Sequence, residues 1–423
     1  LCTNWGCIPT KALSFAAEFV DSVQKAKRMG FDATLAGCDL DRLRSWKESV
    51  VSRLRMGIDY LFKANNVIWQ QGSARVTSAH AVTVQHDGTE ETFEAENIVI
   101  TTGTEVVALP GLGFDHKHII DTDDALEVRA VPKRMLVVGA GASGLEMATI
   151  YSRLGSSVCI VEIMDQILPG MDTELCESLA KIMRKSGIEL YLKSRVSSCT
   201  VKDGHASVSI DTPEGSRDDT FDTVLVSVGR RPCTQAFSAI GIELDAKGYV
   251  KTDECLRTNV KNIYAAGDVA GPPLLAHKAT SQGVAVAEII AGEKSRYGRP
   301  LIPACVFTIP PLSAAGMTER EAAAAGRKVV VGRFPYRASG KAVSMFETEG
   351  LVKVIGDDKG VLLGVHILGY ESPNLIGEAA LALQNGLSVG DIAQTVHPHP
   401  TLTEMMQEAA ENFFGRAINI TNK

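Results

Sequence analysis

The sequence lacks the features of a membrane protein and of a nucleic-acid-binding protein. It has no apolar run of about 18 residues, the length that a transmembrane helix needs, and no amino-terminal signal pattern. Its lysines and arginines form no basic block, and the formal net charge is −7, which argues against nucleic acid as the main partner. These absences predict a soluble protein with no membrane partner and no nucleic-acid partner.

The nine cysteines also lack the spacing of a metal site. No C-x-x-C or C-x-x-H pair accompanies Cys2 and Cys7, as a zinc site would require, and we predict no metal. The remaining cysteines are scattered, which is typical of a reducing compartment containing one special pair. We therefore expect a cytoplasmic protein, or a protein of the mitochondrial matrix if the source is eukaryotic.

Cys2 and Cys7 lie within the segment LCTNWGCIPTKAL at the start of the chain. In an undistorted α-helix, Cα atoms five positions apart are separated by about 8 Å, and a disulfide tolerates at most roughly 7 Å. The two thiols can therefore join only if the backbone bends, and Gly6 permits a bend. Closing so short a loop removes little entropy from the unfolded state. A disulfide between Cys2 and Cys7 would therefore stabilise the fold only slightly and is better suited to a redox switch. The alternative is that Cys2 and Cys7 are two unrelated small buried residues.

A strand, glycine turn, helix and second strand follow one another from Met135 onward. In the sequence GAGASG, Gly139 permits a tight turn, Gly141 lets a pyrophosphate approach the backbone, and Gly144 lets helix and strand pack closely. The second strand ends in Glu162, at the spacing of roughly 20 residues expected for a dinucleotide fingerprint. A carboxylate there accepts from a ribose 2′-hydroxyl and repels a 2′-phosphate, which favours NAD over NADP. The alternative is a solvated acid at a strand end.

Periodicity gives a coarse outline of the other elements. Apolar spacing predicts one helix over 10–29, opened by Pro9, and another over 39–64. Alternation predicts strands over 67–76, 81–85 and 92–101. Near the end of the chain we expect strands over 329–334, 351–355 and 362–368, and helices over 372–385 and 389–395. A strand before Asp268 delivers this acid at its carboxyl end, where ligands of open parallel sheets bind.

The opening segment resembles the redox-active segment of the pyridine nucleotide-disulfide oxidoreductases, and most of all that of the dihydrolipoamide dehydrogenases. Thr3 departs from the family, which more often has an apolar residue there, and Pro311 stands where relatives usually have glutamate. The resemblance continues in order along nearly the whole chain, in the segments IVITTGT (98–104), GRRP (229–232), NVKNIYAAGD (259–268), PLLAHKA (273–279) and HPTLTE (399–404).

The resemblance implies an α/β fold with two Rossmann-like dinucleotide-binding domains and an α+β dimer interface domain. The implied parts are a FAD-binding domain (1–118), an NAD-binding domain (119–235), a returning FAD or central domain (236–301) and an interface domain (302–423). The chain starts inside the redox motif, and we expect it to be a fragment of a longer polypeptide. The FAD domain would then lack about one βαβ unit, roughly 30 residues.

The resemblance also implies the site residues. Cys2, Cys7, His399 and Glu404 would be catalytic, with His399 acting on the cysteines of the other subunit of a homodimer. FAD and NAD would be bound by Lys11, Thr102, Gly103, Gly139, Gly141, Gly144, Glu146, Glu162, Gly229, Asp268, Leu275, Ala276 and His277. Without the resemblance, Thr401 to Glu404 is a helix capping box and His399 a surface residue. The resemblance also implies that Glu146 pairs with Lys11 and that Glu404 orients His399. Without it, Glu146 is an acid favoured by the helix dipole.

The implied activity is oxidation of protein-bound dihydrolipoamide through a disulfide of Cys2 and Cys7, FAD and NAD⁺. Its partners would be the lipoyl domain and acyltransferase subunit of an oxoacid dehydrogenase complex. Mercuric reductase is disfavoured because the last cysteine is Cys305, and glutathione reductase because of Glu162 and Thr10. The alternative from a different class is a non-catalytic dimerisation or docking fragment.

Overall fold

The computed structural model describes residues 1–293, 297–298 and 300–422. Within these residues the α-helices, numbered in chain order, are α1 (Cys2–Trp5), α2 (Cys7–Arg28), α3 (Leu40–Ala64), α4 (Thr122–Glu127), α5 (Ala142–Leu154), α6 (Thr173–Lys185), α7 (Ala276–Ile290), α8 (Glu319–Ala324), α9 (Gly340–Ser344), α10 (Ser372–Gln384), α11 (Val389–Gln394) and α12 (Glu404–Phe413). None of the described helices combines the length and the apolarity needed to cross a membrane.

The strands are short and are distributed along the whole chain. In chain order they are β1 (Ser73–Ser78), β2 (Ala81–His86), β3 (Thr89–Glu94), β4 (Ile98–Ile100), β5 (Thr104–Val106), β6 (Ile119–Ile120), β7 (Arg134–Val138), β8 (Ser157–Val161), β9 (Glu189–Tyr191), β10 (Arg195–Lys202), β11 (His205–Thr212), β12 (Gly215–Phe221), β13 (Thr223–Val226), β14 (Arg230–Pro232), β15 (Ile263–Ala265), β16 (Ala304–Val306), β17 (Leu312–Gly316), β18 (Val329–Pro335), β19 (Leu351–Asp357) and β20 (Leu362–Leu368).

The chain forms two compact units, each built from three stretches of sequence. The first comprises Leu1–Cys7, Ser49–Val107 and Gly229–Ile302, and the second comprises Ile8–Glu48, Ala108–Val228 and Pro303–Lys423. The mixed α/β class is confirmed, and the four predicted domain ranges stay predictions.

The second unit contains a five-stranded parallel sheet in the order β6-β13-β7-β8-β9. Strand β7 is apolar on both faces, and Met135, Leu136 and Val137 are fully buried, as expected for a parallel sheet covered on both sides. Leu145 and Ala148 of α5 belong to the same core as Met135. The strand order places the carboxyl ends of β7 and β8, and hence the glycine turn and Glu162, at one edge of the sheet.

The second unit also contains two antiparallel sheets. One has the order β16-β17-β20-β19-β18, and the other is the meander β10-β11-β12. All seven residues of β20 are buried. Helix α12 packs on β18 so closely that a Cβ at Gly332 would lie under 3.0 Å from the carbonyl oxygen of Ala409. This contact holds the middle and end of α12 against β18.

The first unit contains three small sheets. Strands β1, β2 and β3 form an antiparallel meander, β14 pairs with β5 in antiparallel orientation, and β15 pairs with β4 in parallel orientation. Ile263 of β15 and Ile98 of β4 are paired and belong to one buried core. Strand β15 leads into a 3-10 helix over Gly267–Ala270, which carries Asp268.

Several predicted boundaries are wrong by a few residues. Helix α2 begins at Cys7, so Pro9 lies in its first turn, where its missing N–H has no helical partner to lose. The strand predicted over 67–76 begins at Ser73, because the side chains of Ile68 and Trp69 are exposed. The strand predicted over 92–101 is two strands, β3 and β4, in different sheets.

Candidate functional site

The two cysteines at the start of the chain stand on either side of a break between helices. Helix α1 ends at Trp5 and α2 begins at Cys7, with Gly6 between them at φ −147° and ψ −109°. A Cβ at Gly6 would lie 3.5 Å from the Cα of Cys2. The expected bend at Gly6 is therefore present. The pairing of Cys2 with Cys7 in a disulfide stays a prediction.

Lys11 and Glu146 form the ion pair that the family resemblance implies. The Lys11 Nζ lies 2.9 Å from Glu146 Oε2 and 3.9 Å from the centroid of the Phe307 ring. The other carboxylate oxygen of Glu146 accepts the backbone N–H of Phe307 at 2.9 Å. Phe307 was not predicted as a site residue, since no local pattern connects it to positions so far away in sequence.

The glycine turn has the geometry of a dinucleotide site. Gly139 has φ +103°, and a Cβ there would meet the Ser227 carbonyl oxygen under 3.0 Å. A Cβ at Gly144 would come equally close to the Gly139 carbonyl oxygen. A Cβ at Gly141, the N-cap of α5, would meet nothing within 4 Å. The residues present thus leave open space before the amino terminus of α5, where a pyrophosphate would be bound.

Glu162 is buried at the end of β8, not solvated, with 7% of its surface exposed. Its Oε2 accepts the N–H of Ala140 at 2.6 Å, and its Oε1 accepts the N–H of Met164 at 2.9 Å. Each carboxylate oxygen keeps a second lone pair for a ribose hydroxyl. The acid therefore ties the glycine turn to the end of β8 and still fits an NAD ribose.

Asp268 belongs to a polar chain within the first unit. Thr104 Oγ1 lies 3.4 Å from Asp268 Oδ2 and accepts from the Arg230 Nε at 2.9 Å. Thr102 Oγ1 donates to the Cys233 carbonyl at 2.6 Å. Thr104 and Arg230 were not predicted as site residues, although both lie inside segments that carry the family resemblance.

Glycines shape the backbone beside this chain. Gly103 and Gly229 both have positive φ, at +70° and +127°. The N–H of Cys233 donates to the Gly103 carbonyl at 3.0 Å, and the N–H of Val107 donates to the Gly229 carbonyl at 3.3 Å. These turns hold β5 beside β14.

The turn that carries Asp268 rests on a buried lysine. Lys278 of α7 is 3% exposed, and its Nζ donates to the carbonyl oxygens of Gly267 and Gly271. Desolvation by burial lowers the pKa of Lys278. Gln282, one turn further along α7, accepts the N–H of Gly267 at 2.8 Å. Neither residue was predicted, because a lysine on an amphipathic helix is usually a solvated one.

The amino terminus of α7 is the next element along the chain after the turn that carries Asp268. Leu275 is the N-cap and provides no side-chain cap, and Ala276 and His277 are the first helical residues. The residues present therefore fit an acceptor group of a flavin, which the dipole of α7 would favour. The cofactor-binding roles of Leu275, Ala276 and His277 stay predictions.

His399 and Glu404 form a pair at the start of α12. The His399 Nδ1 lies 2.8 Å from Glu404 Oε1, and the His399 side chain is 80% exposed. Glu404 Oε2 accepts the N–H of Thr401 at 2.8 Å. Thr403, not Thr401, is the N-cap of α12, so the capping-box alternative is wrong in its N-cap residue. One carboxylate both orients His399 and fixes the loop.

One further group of side chains has the composition of a metal site. Ligand atoms of His116, Asp121 and Asp124 lie within 4.8 Å of one another. Asp121 and Asp124 form the capping box of α4, and His116 pairs with Asp124. Helix capping accounts for this arrangement.

Comparison with known proteins places these features in one family. The family model described as "Pyridine nucleotide-disulphide oxidoreductase" matches residues 1–283, and the model of its dimerisation domain matches residues 302–410. A dihydrolipoyl dehydrogenase of Haloferax volcanii is 39% identical over 430 residues, covering 100% of this chain and 90% of the relative. One from Thermus scotoductus is also 39% identical, over 429 residues, covering 100% and 92%.

Solved structures show the same fold. LpdA from Mycobacterium tuberculosis has a TM-score of 0.88 at 25% identity, covering 97% of this chain and 90% of that one. The HOCl-induced flavoprotein disulfide reductase RclA from Escherichia coli, as its Cu(II) complex, has a TM-score of 0.86 at 26% identity, covering 97% and 90%. The chain therefore belongs to the pyridine nucleotide-disulphide oxidoreductase family.

Proposed function

We propose that the protein is an NAD-dependent dihydrolipoyl dehydrogenase, which oxidises dihydrolipoamide to lipoamide. The observation that carries this proposal is the match of dihydrolipoyl dehydrogenases to the whole chain at 37–39% identity. The bent Cys2 and Cys7 segment and the His399 and Glu404 pair support it, because thiol exchange needs both a sulfur pair and a base.

In the proposed reaction the oxidised protein has a disulfide between Cys2 and Cys7. A substrate thiolate attacks the Cys2 sulfur, the Cys2–Cys7 bond breaks, and Cys7 leaves as a thiolate. The second substrate thiol loses its proton to His399 of the partner subunit and attacks the mixed disulfide. Lipoamide then leaves with a new sulfur–sulfur bond, and Cys2 is released as a thiolate. Glu404 holds the His399 ring by its Nδ1, so Nε2 is the atom that takes the proton.

FAD and NAD are the cofactors of this family. When bound, FAD would supply an acceptor for the electron pair of the thiols, and NAD⁺ would supply an acceptor for hydride. The residues proposed to hold NAD are Gly139, Gly141, Gly144 and Glu162. The residues proposed to hold FAD are Lys11, Thr102, Gly103, Glu146, Gly229, Asp268, Leu275, Ala276 and His277.

The dimerisation domain supports a homodimer. We further propose that the dimer serves a 2-oxoacid dehydrogenase complex, accepting its lipoyl domain as substrate and binding its acyltransferase subunit. Relatives occur in archaea, bacteria and the fungus Chaetomium thermophilum. A cytoplasmic or mitochondrial-matrix location stays part of the proposal.

The test is NADH formation from NAD⁺ and dihydrolipoamide by the FAD-loaded protein. We expect turnover to be abolished by Cys2→Ser or Cys7→Ser and to fall at least about a hundredfold with His399→Gln. Cys38→Ser is the matched control, because Cys38 is exposed and lies outside the redox segment. Turnover of glutathione disulfide with NADPH in place of dihydrolipoamide with NAD⁺ would contradict the proposal.

A further inference from the structure

The loop between α11 and α12 contains a buried histidine side chain between two exposed residues. Val396 is 89% exposed, and the His399 side chain is 80% exposed. Between them the His397 side chain is only 5% exposed. A histidine buried in so exposed a loop is held there by its contacts.

Both ring nitrogens of His397 face oxygen atoms. Nδ1 lies 2.9 Å from the Thr395 carbonyl oxygen, and Nε2 lies 2.8 Å from Glu378 Oε1. A carbonyl and a carboxylate only accept hydrogen bonds, and a neutral imidazole has a single N–H. A neutral ring would therefore point one lone pair at an oxygen lone pair less than 3 Å away. Both contacts are hydrogen bonds only when the ring carries two protons.

These contacts fix the loop immediately before His399. His397 joins α10, which carries Glu378, to the residue that caps the end of α11. After His399, Glu404 holds the loop through the N–H of Thr401. Desolvation by burial raises the pKa of Glu404, but the Thr401 N–H, the His399 ring and the charge of His397 outweigh it, and the pKa lies below its ordinary value. His399 is thus held from both sides.

We propose that His397 is a positioning residue for His399, held as a doubly protonated ring by Glu378 and the Thr395 carbonyl. His397 takes no proton from substrate, since both of its nitrogens are occupied. It fixes the backbone from which His399 projects, and its charge contributes to the lowered pKa of Glu404. The kinetic part of this proposal rests on the proposed function, and the protonation of the ring does not.

The first test is nitrogen NMR on protein labelled with ¹⁵N-histidine, with the His397 signals assigned by their loss in His397→Gln. A doubly protonated ring has two similar nitrogen shifts, whereas a neutral ring has one N–H and one bare nitrogen with well separated shifts. We expect similar shifts for His397. A bare nitrogen on His397 would overturn the proposal, whether or not the protein oxidises dihydrolipoamide.

The second test is kinetic and uses the FAD-loaded dimer. His397→Gln should lower kcat for dihydrolipoamide oxidation at least about tenfold, because a misplaced base reacts slowly. The KM for NAD⁺ and the rate of dye reduction by NADH should stay unchanged, since neither needs His399. Glu378→Gln keeps the side-chain shape without the charge, and we expect a loss in the same reaction. It also provides the kinetic test if His397→Gln does not fold.

His116→Gln is the matched control, because His116 has a similar 2.8 Å contact with Asp124 and no proposed part in the reaction. Unchanged dihydrolipoamide turnover in both His397→Gln and Glu378→Gln would overturn the proposal. Equal losses of dihydrolipoamide and dye turnover would also overturn it, because the residues would then support the fold and not the base. A wild-type protein that reduces dye but never oxidises dihydrolipoamide would contradict the proposed function instead.

Discussion

Glu146 has two partners in the structure, one implied by the family resemblance and one not. Lys11 contacts one carboxylate oxygen, and the N–H of Phe307 donates to the other. Only 10% of the Glu146 side chain is exposed. Because it is both desolvated and paired, this acid stabilises the fold.

Glu146→Gln should therefore destabilise the protein by about 1.5–3 kcal/mol, the range for hydrogen bonds to charged groups. Urea unfolding followed by circular dichroism measures the change. Glu349→Gln is the control, because the pair of Glu349 with Lys185 is 55% and 77% exposed, and its loss should cost less than about 0.5 kcal/mol. Equal losses of unfolding free energy in Glu146→Gln and Glu349→Gln would contradict the claim that the buried pair stabilises the fold more than the exposed one.

Substitutions at Gly141 and at Gly144 should affect NAD binding and folding to different extents. A Cβ at Gly141 meets nothing within 4 Å, so Gly141→Ala should fold normally but bind NAD⁺ at least about tenfold more weakly, since the methyl group occupies pyrophosphate space. Gly144→Ala should also lower the free energy of unfolding, because its Cβ meets the Gly139 carbonyl. Calorimetric titration and urea unfolding distinguish the two effects. Normal NAD⁺ affinity in Gly141→Ala would contradict the proposed NAD site.

At the scale of elements, a buried cation joins α6 to the five-stranded antiparallel sheet of the second unit. Lys353 of β19 is 1% exposed, and its Nζ lies 2.9 Å from Asp172, the N-cap of α6. It also lies 2.9 Å from Glu174 and 2.8 Å from Glu319. Asp172 is itself 2% exposed, so each charge depends on the other for solvation.

Removing Lys353 alone should be costly. Lys353→Met leaves Asp172 buried without a counter-ion, and we expect a loss of about 3–5 kcal/mol. The double variant with Asp172→Asn should recover part of this loss, since the fully buried carboxylate is then no longer charged, and the other two partners, Glu174 and Glu319, are partly exposed. Urea unfolding of the two variants and of the exposed control Lys185→Met provides the comparison. A double variant less stable than Lys353→Met would contradict this account.

The same network predicts a pH dependence. Desolvation by burial raises the pKa of Glu174, but hydrogen bonds from Arg333 and Lys353 outweigh it, so the folded pKa lies below the ordinary 4.5. The stability that Glu174 contributes is then present above the unfolded pKa and is lost as the pH falls through the folded pKa. The difference in unfolding free energy between wild type and Glu174→Gln should therefore shrink below pH 4.5. If this difference in unfolding free energy instead grew as the pH fell, the lowered pKa of Glu174 in the folded protein would be contradicted.

Elements with strong local signals were predicted well, and long-range contacts were not. Strand β20 and the glycine turn before α5 agree with the sequence analysis, because a continuous apolar run and a glycine spacing are local patterns. The buried state of Lys278 and Lys353 was missed. Their partners are backbone carbonyls or distant acids, and no spacing in the sequence predicts these contacts.

At the scale of the whole molecule, the family resemblance supplied what periodicity did not. It pointed to Lys11 with Glu146 and to His399 with Glu404, and both pairs lie within 2.9 Å in the structure. It did not point to His397 or to Glu378, whose roles emerge only from the contacts of a folded loop. The resemblance also implies that each site takes its thiols from one subunit and its base from the other.

A mixture of two inactive variants tests this central claim most directly. Dimers of Cys2→Ser and dimers of His399→Gln are mixed, unfolded and refolded together with FAD, and dihydrolipoamide turnover is measured. If thiols and base come from different subunits, each mixed dimer contains one intact site, and random pairing should restore about a quarter of wild-type turnover. No recovery, with mixed dimers shown to form by differential tagging, would contradict a site shared between two copies.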